Sequence, residues 1–260
     1  MNGTTKPAHP YLLGGISITA VLAAWWLISA QRWIDPVFLP SPSAVLGKLK
    51  LTAGEGFMDA TLWQHLAASL QRMLLAVFAA ILTGVPLGMA MGLNRWIRGL
   101  LDPLIELYRP VPPLAYLPLL VIWFGIGEGT KVLLIYLAIL APIVIATAQG
   151  MRLAQGNRIR AARSLGAGRT DILRYIILPA ALPDILTGIR IGLGVGWSTL
   201  VAAELVAAKH GLGFMVQSAA QFLVTDVVIM GILVIALIAI TLEMALRVLQ
   251  KELVPWQGHE

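Results

Sequence analysis

The chain has 260 residues, of which 58% are hydrophobic and 12% charged, with a mean hydropathy of +0.82 and a formal net charge of +6. So few charged residues cannot coat a water-soluble globule of this size, so most of the surface must face lipid. The absence of cysteine excludes disulfides, thiolate nucleophiles and thiolate metal sites, and the absence of short alternating strand segments excludes a barrel.

Six apolar segments follow one another, at 12–30, 67–93, 101–124, 132–150, 187–207 and 227–248. They predict one integral all-α domain over residues 1–260 with six transmembrane helices. The first segment follows Lys6, as the apolar part of a signal peptide would. Its stretch from Tyr11 to Ser29 is nearly a full span and ends at Gln31-Arg32-Trp33 rather than at small residues, so it reads as a helix that stays in the membrane. The connection 31–66 carries Pro36, Pro40 and Pro42, and its stretch from Met58 to Leu66 is amphipathic enough to lie along the membrane surface.

Near the outer end of the second segment, Arg72 is expected to snorkel to the headgroups. The same segment has Gly84, Gly88 and Gly92 at four-residue spacing, and the fifth repeats the pattern at Gly188, Gly192 and Gly196. Such stripes let helix backbones approach closely in lipid, here within the chain.

Ionisable groups at membrane depth are costly and point to function. In the third segment Glu106 and Arg109 share a helix face, either as a mutually neutralising pair or as substrate contacts. Pro110-Val111-Pro112-Pro113 then interrupts the span, which marks either a transport path or a structural kink. In the fifth segment Trp197, Ser198, Thr199 and Glu204 are candidate pathway residues, although the hydroxyls can equally bond their own helix.

With Arg72, Arg109 and Arg190 left within or at the ends of spans, the other basic residues divide eleven to five between the two sides, the larger set accompanying both termini and the 151–186 loop. The positive-inside rule places those parts in the cytoplasm, and it accounts for the positive charge without nucleic acid. His9, His65, His210 and His259 have no metal-ligand spacing and read as solvent-facing; no metal site and no catalytic set is expected. Nor is there a phosphate-cradling P-loop: Gly47-Lys48 is followed by Leu49, and Gly127-Glu128-Gly129-Thr130-Lys131 has the wrong order.

The 151–186 loop is too patterned for a passive linker. From Ile159 to Pro183 it reads as a short helix, a break at Gly166-Ala167-Gly168, and a second helix that Pro179 and Pro183 stop before the fifth span. Its Arg run could simply anchor the loop to anionic lipid. The order Ala161-Ala162, Gly166, then Ile176-x-Leu178-Pro179 resembles the EAA loop of ABC importer permeases, with Arg160 where the pattern has Glu. The segments Gly56 to Leu70, Asp102 to Gly127 and Leu186 to Ala208 are similar to the branch of that family serving taurine, aliphatic sulfonates and nitrate.

The resemblance implies a type I ABC importer permease in the bacterial inner membrane. It makes Arg160, Ala161, Ala162, Leu165, Gly166, Ala167, Ile176, Leu178 and Pro179 the loop that couples to a separate ATPase, which binds ATP and Mg. It further implies a permease homodimer, a periplasmic binding protein and taurine as substrate, with an alkanesulfonate or nitrate as alternatives. A protein of another class, a secondary transporter in which Glu106 or Glu204 carries protons, also fits the residues. Where the loop seats in its partner, Gly166 is expected to need positive φ.

Overall fold

A computed structural model describes residues 10–153 and 156–255. The described residues are helical, apart from turns and one isolated bridge between Phe57 and Ala60. In chain order the helices are α1 (Pro10–Ala30), α2 (Pro42–Gly54), α3 (Leu62–Leu93), α4 (Arg95–Tyr108), α5 (Leu117–Phe124), α6 (Glu128–Leu153), α7 (Asn157–Ser164), α8 (Arg169–Ile172), α9 (Leu178–Ala207), α10 (Leu212–Gln221) and α11 (Thr225–Leu253). A single 3-10 turn, Pro113–Tyr116, precedes α5, and a π turn, Leu173–Ile177, joins α8 to α9.

Five stretches are long and apolar enough to cross a membrane, and a sixth span results if the bent pair Arg95–Tyr108 and Pro113–Phe124 counts as one. The expected third helix is therefore two pieces meeting at 89°. Three prolines in four residues, Pro110, Pro112 and Pro113, leave the Val111 amide as the one donor there, and it bonds the Tyr108 carbonyl at 3.2 Å, so the helix is not carried through. The first, second, fourth and sixth segments form helices that run a few residues beyond the expected bounds.

The chain groups into two compact units, 1–62 with 215–233 and 63–214 with 234–260. In the first, α2 starts at Ser41, whose hydroxyl accepts from the Ala44 amide at 3.2 Å, and the Trp25 indole donates to the Pro40 carbonyl at 3.0 Å. Lys48 and Asp226 stand 3.9 Å apart. The amphipathic stretch from Met58 to Leu66 is not one surface element. Met58 and Asp59 adopt positive φ in a tight turn, and Leu62 already begins α3; the helix of this connection is α2 instead.

In the second unit α6 is the central rod. Gly88 lies so close that a Cβ would meet Thr147 Cβ at 2.6 Å and the Val144 carbonyl oxygen at 2.7 Å. On the other stripe, a Cβ at Gly188 would meet Ala146 Cβ at 2.6 Å, and one at Gly196 would meet Ile139 at 2.6 Å. Both glycine stripes thus receive α6, the intrachain packing expected of them. Ile135, Ile139, Ile143 and Met151 of α6 are buried between Met73, Ala76 and Ala80 of α3 and Ile185, Ile189 and Leu193 of α9.

Pro179 and Pro183 do not stop the helix before the fifth span. An apolar helical run of 38 residues extends from Arg169 to Val206. The wider π turn immediately before Pro179 makes room for a ring that would otherwise clash with the preceding turn.

Candidate functional site

The broken span opens a cavity of about 370 Å³ lined by α4, α6, α9 and the proline segment. Tyr108 and Tyr116 stack across the break, ring centroids 5.6 Å apart and 10° from parallel. The Tyr116 hydroxyl donates to the Tyr108 carbonyl at 3.2 Å, and the Tyr108 hydroxyl donates to the Leu137 carbonyl of α6. These bonds hold the last turn of α4 beside α6. Across the cavity, Pro142 has no amide to offer the Ala138 carbonyl, so α6 too presents unladdered backbone, and both residues line the space.

Arg109 lines the cavity at the end of α4, with Gln149 contributing a second polar wall. Glu106 is exposed on α4, and among the described residues no ion pair joins it to Arg109. α4 is amphipathic. Ile97, Leu101 and Ile105 pack on Met91, Val144 and Ala148, while Arg98, Asp102, Glu106 and Arg109 form a polar stripe along another face. That stripe has one internal contact, Arg98 to Asp102 at 3.9 Å.

The fifth-span candidates separate. Ser198 and Thr199 donate to carbonyls of their own helix, Gly194 at 3.3 Å and Val195 at 2.9 Å. Trp197 is buried in the core with its indole nitrogen unpartnered among the described residues. Glu204 is 1% exposed and does not stand alone.

Its carboxylate belongs to an ionic network absent from the sequence reading. Arg72 is buried rather than snorkelled to the headgroups: it reaches Glu204 at 2.5 Å and Glu128 at 2.5 and 3.0 Å, and it also donates to the His210 carbonyl at 2.7 Å. Two carboxylates within reach explain why the guanidinium stays inside. Lys131 bonds Glu128 at 2.7 Å. The loop before α10 is then stitched down by three consecutive amides: Gly211 to His65 Nδ1 at 3.1 Å, Leu212 to Ser69 at 2.9 Å and Gly213 to Glu204 at 2.8 Å.

His65 is accordingly buried, contrary to the solvent-facing expectation, because its ring accepts a backbone bond; His210 is exposed, and His9 and His259 lie outside the described residues. The missed signal was the spacing of His65, Ser69 and Arg72, which puts three polar groups on one face of a largely apolar helix. Among the described residues no group of His, Asp and Glu is arranged to hold a metal ion.

On the loop side, α7, a turn and α8 form a hairpin. Ile159, Ile172 and Ile177 are buried in the main core, with Ala162, Ala167, Leu173 and Ile176 packed partly against it. Arg160, Ala161, Gly166 and Leu178 are exposed, Pro179 is half-buried, and Leu165, 88% exposed, projects from the tip. Gly166 has φ +84°, closing the turn through its amide to the Arg163 carbonyl at 3.0 Å, while the Ala167 amide reaches the Ala162 carbonyl at 3.0 Å. Asp171 accepts the Gly168 amide at 3.1 Å and starts α8. Leu165 thus stands outside the core that holds the rest of the hairpin.

A family model described as the binding-protein-dependent transport system inner membrane component matches residues 84–255. The taurine transport system permease protein of Escherichia coli is 64% identical, over 93% of this chain and 88% of its own length. A putative aliphatic sulfonates transport permease protein of the same organism is 37% identical, over 91% of this chain and 88% of its own. A solved structure of the MetNI methionine ABC transporter in an inward-facing conformation has a chain that matches the fold with a TM-score of 0.66 at 17% identity, covering 75% of this chain and 98% of that one. The five apolar spans, the bent pair that makes a sixth and the exposed hairpin thus accord with a multi-pass permease, and the chain belongs to the inner membrane components of binding-protein-dependent transport systems, the permeases of ABC importers.

Proposed function

We propose that this permease passes taurine, or a closely related sulfonate, across the inner membrane, in a complex with a separate ATPase and a periplasmic binding protein. The observation that carries the reading is Arg109, a guanidinium lining a cavity at a broken span with no carboxylate paired to it among the described residues. A fixed cation at that depth suits a sulfonate, whose oxygens take the same forked hydrogen bonds as a carboxylate. The stacked Tyr108 and Tyr116 beside it offer an aromatic face to the substrate's ammonium group. The 64% identity to a taurine permease supports the same substrate.

Two copies of the chain form the path. The polar stripe Arg98, Asp102, Glu106, Arg109 on α4 would be costly against lipid, and a second copy facing it across water removes that cost. The 157–172 hairpin couples to the ATPase: Leu165 and the Gly166 turn enter a groove of that subunit, on which ATP and Mg bind. Both chain ends and this hairpin face the cytoplasm, as the distribution of basic residues supports. ATP binding draws the two hairpins together and opens the path outward; hydrolysis releases them.

The test is uptake of labelled taurine into vesicles holding permease, ATPase and binding protein. ATP-dependent uptake lost in Arg109→Ala and partly kept in Arg109→Lys is the expected result. Uptake driven by a pH gradient without the ATPase would replace this reading with the secondary transporter; Glu204, held by Arg72, Ser69 and the Gly213 amide, is poorly placed to carry protons in such a scheme.

A further inference from the structure

A second pocket, of about 490 Å³, lies where α9 meets the end of α11, lined by Arg190, Arg247, Val248, Gln250, Lys251 and Val254. Glu243 is shared between two of its cations, 3.6 Å from Arg190 and 3.0 Å from Arg247. Among the described residues three cations therefore accompany one carboxylate, an excess of positive charge that nothing in the transport scheme uses. The shared carboxylate also orients both guanidinium planes, which prepares their free N–H groups for a tetrahedral anion.

Depth narrows the choice of anion. Arg190 stands near one end of the apolar segment 187–207, only three residues inside it, where a span gives way to headgroups. Arg247 and Lys251 sit in the last two turns of α11. The pocket is thus at headgroup level at one membrane face. Beside it Met244 and Val248 are 60% and 59% exposed, an apolar strip running from the cations back along α11 toward the membrane interior.

We infer that this pocket binds the phosphate of an anionic phospholipid, Arg190, Arg247 and Lys251 holding the headgroup while an acyl chain lies along Met244 and Val248. The site is independent of the substrate assigned to the cavity at Arg109. The lipid fastens α9 to α11 through a bridge that the protein's own side chains complete only in part.

Native mass spectrometry of the full chain released from nanodiscs of phosphatidylcholine with a minority of phosphatidylglycerol reads the site directly. Phosphatidylglycerol is expected to be retained about tenfold above its share of the bilayer, and Arg247→Gln with Lys251→Gln to bring it near parity. Arg95→Gln with Arg98→Gln removes the same charge elsewhere and leaves the enrichment in place. Equal retention of both lipids by the unaltered chain, or enrichment that survives the Arg247 and Lys251 changes, would overturn the inference. Displacement of the lipid by millimolar inorganic phosphate would also overturn it, assigning the pocket to a soluble anion.

Discussion

At the scale of single residues, the glycines separate by the work each does. Gly88 is a contact residue: a side chain there drives into Thr147 and the Val144 carbonyl of α6. Gly88→Val is expected to cost about 1 to 3 kcal/mol, read as a lower unfolding midpoint in detergent. Gly166 has open space around it, and its constraint is conformational, φ +84°. Gly166→Ala should cost only about 1 kcal/mol of stability, while Gly166→Trp abolishes stimulation of the partner ATPase by substrate-loaded binding protein and leaves the midpoint within a few degrees. A large fall in the midpoint of the Trp variant would show that the hairpin tip belongs to the fold and not to the interface.

Among elements, the network around Arg72 joins α3, α6, α9 and the loop before α10. Removing one partner strands a buried charge, so Arg72→Met is expected to lose about 3 to 5 kcal/mol, whereas Arg72→Met with Glu204→Met loses distinctly less. A double-mutant comparison of thermal midpoints checks this, and additive losses would mean that the two side chains are not coupled. The spans and the two glycine stripes were legible in the sequence because each depends on local hydropathy and four-residue spacing. The network was not, because Arg72 and Glu204 are 132 positions apart and a lone cation near a helix end reads the same whether it leaves the protein or enters it. Pro179 and Pro183 misled for a related reason. A proline signals the end of a helix only when the preceding turn is tight, and the π turn that relieves it has no signature in the residues themselves.

For the whole molecule, the polar stripe on α4 makes a prediction about assembly. With no native cysteine in the chain, Glu106→Cys introduces one thiol per copy. Mild oxidation in the membrane should yield a covalently linked dimer, and substrate-loaded binding protein with ATP should change its yield. A single species at monomer mass under all conditions would rule out that the two α4 faces meet. The cavity at the broken span was only partly legible. Arg109 and the proline segment stood out as anomalies in an apolar run, but Tyr108, Pro142 and Gln149 join them only through the packing of α4 on α6.

The unbroken run from Arg169 to Val206 has a mechanical consequence. At 1.5 Å per residue it is a rod of about 57 Å, with the hairpin at one end and Glu204, clamped to Arg72, near the other. Between the turn at 166–168 that carries Leu165 and the clamp at Glu204, the one departure from α-helical geometry is the five-residue π turn. If a partner drives the hairpin as proposed, the run would act as a pushrod with one compliant collar, and the stroke reaching its far end would be set by how stiff Leu173–Ile177 is.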